Sequence, residues 1–268
     1  MVKKQKTIGI LGGLGPEASN WLAQEITRIT PATKDQDHLR VIHYNNPKIP
    51  DRTEAIVKGG QSPVLNLVQS AEVLEQAGAD FIIIPCNTSH YYLNDIQKYI
   101  DIPIINMIEE TAKYIVNNYP NVKVVGLLAT AGTVESGVYD EIFTKYNIDI
   151  ITPTQEDQEE FVTEGIYGEK GVKAGYIEYP QLLFEHMAKS LVDDGAQVVI
   201  TGCTEIGLAM DQQKVNYKLI DPAKILAHVA VEKAINEQIK SEITTFVGEL
   251  FVQPYYFFRR KALEIFER

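Results

Sequence analysis

Short apolar runs alternate with longer stretches in which apolar residues return every three or four positions, from residue 7 to about residue 240. The runs at 7–11, 40–44, 81–84 and 102–105 predict four strands in the first half, and those at 122–128, 149–152, 197–201 and 218–220 predict four in the second. The intervening stretches predict helices at 16–29, 63–76, 108–118, 136–146, 180–193 and 222–240. The first helix opens with Pro16 and Glu17 and carries Trp21, Leu22, Ile26 and Ile29 on one face. Residues 45–52 read as a turn-rich loop and 155–160 as a polar, acid-rich stretch. The strands are β-branched and continuously apolar, not alternating, so both of their faces are buried. The fold class is α/β, built from mainly parallel sheets flanked by helices.

The two halves repeat. Gly78-Ala79, an apolar run, then Pro85-Cys86-Asn87-Thr88 is echoed by Gly195-Ala196, an apolar run, then Gly202-Cys203-Thr204-Glu205. Cys86 and Cys203 are 117 residues apart, as are Gly78 and Gly195, Ala79 and Ala196, and Gly9 and Gly126. An offset held over that length marks an internal duplication and two similar domains. Ligands in open α/β sheets sit beyond the carboxyl ends of strands. Both cysteines lie at such ends, so the two domains place the active site in the cleft between them.

Composition narrows the partners. A net charge of −11 argues against nucleic acid and against an anionic membrane surface, while local Arg and Lys can still bind a small acid. Lys3, Lys4 and Lys6 lead into an apolar run too short for a secretory leader, and no run reaches the length of a membrane span. The expectation is a cytoplasmic protein whose two cysteines are thiols. The segment 246–268 is rich in aromatic residues and arginine; it reads as a helix packed on its own chain or on a second subunit.

Two thiols at matching strand ends suit one chemistry. Inverting a Cα centre requires a base on one face and an acid on the other. A thiol, with an ordinary pKa of about 8.5, can be tuned for either task. A pair of buried structural cysteines is the plain alternative, and the matched positions weigh against it. Two cysteines with no CxxC and no clustered histidines lack the spacing of a zinc site. His90, four residues after Cys86, either tunes the thiol or is a hydrogen-bonded structural histidine. Asn87, Thr88 and Thr204 flank the thiols, and Thr130 follows the strand at 122–128. Arg52 is the only arginine of the 45–53 loop and the candidate for binding a carboxylate. Gly13 to Ala18 spells G-x-G-x-x-A, but the next strand ends in Tyr44-Asn45 rather than an acid, so no dinucleotide is expected. An anionic group at the start of that helix, near Gly12, is still compatible with it.

The chain resembles the aspartate/glutamate racemase family, specifically its aspartate racemase branch. The resemblance rests on IGILGGLGPEAS at 8–19, NPKIPDRT at 46–53, PCNTSH at 85–90 and GCTEI at 202–206, with GVKAG at 171–175 as a fifth match. It implies a racemase needing no cofactor, pyridoxal phosphate or metal, with Cys86 and Cys203 as the two bases. Cys86 would serve the D enantiomer and Cys203 the L enantiomer. Arg52 would bind one carboxylate of the substrate, and Lys173 would reach the second or help close the site. The resemblance also implies a homodimer. The last strand and helix would return to the first domain, giving domains of 1–116 plus about 217–268, and 117–216. The glutamate racemase branch carries Asp-Ser in the first loop and His after the second Cys-Thr. Here Gly12-Gly13 and Glu205 stand in those places, which argues against a cell-wall glutamate racemase. Glu205 would orient the Cys203 region or meet the substrate amino group. A broad-specificity amino-acid racemase, a related enzyme acting on another small carboxylate, and a dicarboxylate-binding protein without turnover are the alternatives.

Overall fold

The computed structural model describes residues 5–235. In the first half, strands β1 (Ile8–Gly12), β2 (Val41–Asn45) and β3 (Phe81–Ile83) alternate with helices α1 (Pro16–Ile29), α2 (Arg52–Val57) and α3 (Val64–Gln76). Helices α4 (Leu93–Gln97) and α5 (Met107–Asn118) follow. The second half brings β4 (Val124–Leu128), α6 (Ala131–Glu135), α7 (Val138–Phe143), β5 (Asp149–Ile151), α8 (Gln155–Asp157) and α9 (Glu164–Tyr167). It ends with α10 (Glu178–Asp193), β6 (Val198–Thr201), α11 (Thr204–Ala209), β7 (Leu219–Ile220) and α12 (Pro222–Ala234).

Two parallel sheets result, ordered β2-β1-β3 and β5-β4-β6-β7. Their registers repeat the offset seen in the sequence. Ile8, Gly9 and Ile10 face Phe81, Ile82 and Ile83, while Val125, Gly126 and Leu127 face Val198, Val199 and Ile200. The edge contacts repeat as well. The Asp80 carboxylate accepts from the Thr7 N–H at 2.6 Å, and the Gln197 side-chain oxygen accepts from the Val124 N–H at 3.0 Å.

Four features depart from the sequence reading. The predicted strand at 102–105 survives only as a single bridge between Ile82 and Ile104. Pro103 interrupts it, because proline has no N–H to add to a ladder. The helix predicted at 136–146 is broken at Gly137, which adopts φ 65° and starts α7. The polar stretch at 155–160 is helical: α8 runs into a π-helical turn at Gln158–Thr163. The last strand does not return to the first domain. β7 pairs with β6, since α11 and the turn at 212–214 supply the crossover that a parallel pair requires. Only α12 returns, packing on α1 and α5.

That return welds the halves together. Leu226, Ala230 and Val231 of α12 share a core with Ile8, Leu22 and Ile26, whereas Ile225 joins Ile108 and Ile115 of α5 and Val125 and Leu127 of β4 in a second core. Each such fully buried aliphatic side chain contributes about 1.5–3 kcal/mol relative to exposure. The end of the helix predicted at 222–240 and the aromatic tail at 246–268 lie outside the described residues.

Candidate active site

The two thiols reach the site by nearly equivalent routes. The first sheet's ladder cannot run on past Ile84, because Pro85 has no N–H to donate. At the matching place in the second half, Gly202 does donate, to the Leu128 carbonyl at 2.7 Å. One residue further on, Cys86 and Cys203 are both buried with 7% exposure, and both line one cavity. The cavity is narrow throughout, leaving about 20 Å³ of free space for a molecule the size of water.

Around Cys86 the contacts are cationic and polar. Arg52 is the first residue of α2, whose start is fixed by the Asp51 carboxylate accepting from the Glu54 N–H at 2.9 Å. The guanidinium is buried. It donates to the Leu14 carbonyl at 3.2 Å and the Pro50 carbonyl at 3.1 Å, and it faces the Cys86 sulfur. Burial works against its charge, but the Cys86 sulfur and Asp51 outweigh this and hold it charged. Among the described residues its Nε has no partner, nor does the Nδ2 of Asn87, whose Oδ1 accepts from the Tyr139 hydroxyl at 2.7 Å. His90 is structural. Its Nε2 accepts from the Met107 N–H at 3.0 Å, so its Nδ1 carries the proton and donates to the Cys86 carbonyl at 2.8 Å. Burial lowers its pKa to about 4, so the ring is neutral.

Around Cys203 the nearest charge is negative. The Cys203 thiol donates to Glu205 Oε2 at 3.0 Å, and the Thr204 hydroxyl donates to the same oxygen at 3.0 Å. Glu205 Oε1 accepts from Lys173 Nζ at 2.7 Å. Burial, then the Glu205 charge, push the Cys203 thiol well above its usual range. Burial also raises Glu205, but Lys173 together with the hydrogen bond from Cys203 more than offsets it, and the carboxyl stays ionised. Lys173 lies 5.4 Å above the Tyr167 ring, and Tyr167 faces Thr53 of α2 across the cavity. The two thiols thus sit in opposite electrostatic surroundings, Cys86 beside a guanidinium and Cys203 beside a carboxylate.

Three hydroxyls close the floor. Thr88 lies 3.0 Å from Thr130 and 2.8 Å from Thr133, and those two are 3.0 Å apart. Thr88 follows β3 and the other two follow β4, so the triangle joins the two halves.

The fold brings together Cys86, Cys203, Arg52, Asn87, Thr88, Thr130, Lys173, Thr204 and Glu205. Gly12 is not at the cavity. It pairs with Asn45 in the sheet, and a side chain there would strike His43 Nε2 at 2.4 Å. Its bareness serves packing. Glu205 contacts Cys203 and Lys173. Sequence reasoning missed Leu14, Asp51, Thr53 and Tyr167, which also line the cavity. Asp51-x-x-Glu54 is a capping pattern that marks the start of α2. Tyr167 has no local signal.

Fold and site define an α/β enzyme in which duplicated strands deliver two thiols to one cavity. Residues 11–230 match the model of the Asp/Glu/Hydantoin racemase family, and the chain belongs to that family as an amino-acid racemase, an isomerase. It is 30% identical to an aspartate racemase of Picrophilus torridus, covering 86% of this chain and 95% of that one with a TM-score of 0.75. It is 25% identical to an aspartate racemase homologue of Pyrococcus horikoshii, covering 85% and 99% with a TM-score of 0.68. It is also 25% identical over 228 residues to a broad-specificity amino-acid racemase of Bacillus subtilis, spanning 84% of this chain and 96% of the relative. Among the described residues no helix is long and apolar enough to cross a membrane.

Proposed function

We propose that the protein interconverts L- and D-aspartate, and glutamate less readily, by a two-base mechanism that uses Cys86 and Cys203. The observation that carries this reading is the pair of register-matched thiols lining one cavity, one beside Arg52 and the other beside Glu205. In one direction the Cys86 thiolate takes the Cα proton while the Cys203 thiol gives its own to the opposite face. The products are a Cys86 thiol, a Cys203 thiolate and the inverted amino acid, and the reverse reaction exchanges the two roles. The unpartnered Nε of Arg52 and Nδ2 of Asn87 are donors for a carboxylate and for the charge that builds on it as the Cα proton leaves. A cytosolic homodimer that needs no cofactor goes with this reading.

Lys173 favours a second reading. Its ammonium is already bound to Glu205, so the side-chain carboxylate of aspartate has to compete for it. A site in which that pair persists takes amino acids of several kinds, in keeping with the likeness to the broad-specificity enzyme.

Proton NMR in D₂O with a panel of L-amino acids, followed by a chirality check, separates the two. Loss of the aspartate Cα–H signal with appearance of D-aspartate supports the first reading; equal loss across neutral amino acids supports the second. Cys86→Ala and Cys203→Ala should each abolish racemisation while the folded state persists. Full activity in either variant would overturn the two-thiol mechanism.

A further inference from the structure

Glu205 is buried, ionised and bonded on both oxygens, and the two-base mechanism assigns it no task. Its Oε2 accepts a hydrogen bond from the Cys203 thiol and its Oε1 accepts one from Lys173. The glycine loop of the other half packs directly on it: a Cβ at Gly15, where φ is +125°, would stand 2.7 Å from Oε1. The carboxylate is therefore held in place from both halves.

We infer that Glu205 is a positioning residue that keeps the proton on Cys203 in the free enzyme and holds Lys173 away from the thiol. This rests on the two-thiol reading and deepens it. Without Glu205, the nearest charge to Cys203 would be the Lys173 ammonium, which stabilises a thiolate. With it, the resting enzyme has one preferred arrangement, Cys86 as base and Cys203 as acid. The other titratable groups facing this cluster are Tyr167 from α9 and Tyr139 from α7, both pushed up by burial and so neutral. Arg52 and Cys86 stand across the cavity, and Asp221 lies behind α11 against Gly207. None of these supplies a second anion in contact with the Cys203 sulfur.

A bias of this kind has a defined kinetic form. Racemisation has an equilibrium constant of one, so kcat/KM is equal for the two enantiomers whatever the enzyme does. The bias appears in its parts. The enantiomer taken by the Cys86 base has the lower KM and, by the same factor, the lower kcat.

The chain has two cysteines, so in Cys86→Ala the carbon-13 shift of a cysteine labelled at Cβ, followed against pH by NMR, reports Cys203 alone. Adding Glu205→Gln should lower the titration midpoint by about one pH unit or more, as expected for loss of a contacting anion. Adding Lys173→Met instead should raise it. Opposite shifts cannot come from general loosening. If Glu205→Gln fails to fold, Glu205→Asp keeps the charge and should hold the midpoint near that of the parent, with Lys173→Met still moving upward. In the enzyme with both thiols, Glu205→Gln should bring the KM values of the two enantiomers together. An unchanged or raised midpoint in the Gln variant, a fallen midpoint in the Asp or Met variant, or an undiminished KM difference overturns the inference. Racemisation by Cys203→Ala would instead overturn the two-thiol reading while leaving the titration result standing.

Discussion

A Cβ built on Gly9 would stand 2.9 Å from the Cβ of Ala79, closer than real Cβ atoms approach. The second half repeats the contact, with Gly126 and Ala196 at 3.1 Å and Leu191 at 3.0 Å. In both halves a bare strand residue lets the turn before the next strand press onto the sheet, which aims the cysteine strand at the cleft. Gly9→Ala should therefore destabilise by about 1–3 kcal/mol through overpacking. Gly9→Ala combined with Ala79→Gly should recover part of that loss. Urea unfolding of the two variants checks this, and a single variant as stable as the parent would sink it.

The duplicated strands were legible because a strand buried on both faces must be continuously apolar, and because Gly-Ala and Cys recur at one offset. What was not legible depends on contacts between distant residues. Nothing near Arg52 announces that its guanidinium is spoken for by the Leu14 carbonyl, 38 residues away. Lys173 and Glu205 are 32 residues apart, and although the resemblance places both at the site, nothing in the sequence shows that they pair with each other. Tyr167 acquires its place only because α9 ends beside α2. The strand predicted at 102–105 failed on Pro103, whose missing donor a hydrophobicity pattern does not register.

Arg52 is more than a charge. Its fork bridges two backbone carbonyls while its face meets Cys86, and lysine cannot reproduce that planar geometry. Arg52→Lys should lower kcat by on the order of a hundredfold. Arg52→Ala should do the same and cost about 1–3 kcal/mol of stability by leaving buried carbonyls unpaired. Steady-state kinetics with aspartate, alongside urea unfolding, tests both parts. Wild-type kcat in the lysine variant would show that the fork is dispensable.

The Thr88, Thr130 and Thr133 hydroxyls form a ring in which each can donate once and accept once. Removing one member strands the others, so substitutions within the ring should not add. In a double-mutant cycle, Thr88→Val and Thr130→Val should couple by about 0.5–3 kcal/mol. Because the ring joins the two halves, the loss should register in global unfolding, measured by urea titration. Strict additivity would mean that the hydroxyls act independently.

His90 sets a pH dependence whose sign follows from its contacts. Burial of a ring whose Nε2 accepts from Met107 takes its pKa from 6.5 down to about 4. The unfolded chain takes up a proton at pH 6.5 that the folded chain refuses until about pH 4. The stabilisation is therefore complete above pH 6.5 and drains away as the pH falls toward 4. The total is about 3 kcal/mol, since one pKa unit corresponds to about 1.4 kcal/mol. His90→Gln keeps a donor and an acceptor but does not titrate. It should be less stable than the parent at neutral pH, with a shallower loss across the acid range. Urea unfolding of the two proteins between these limits measures the difference in slope. Parallel lines would mean that His90 is not the group that refuses the proton.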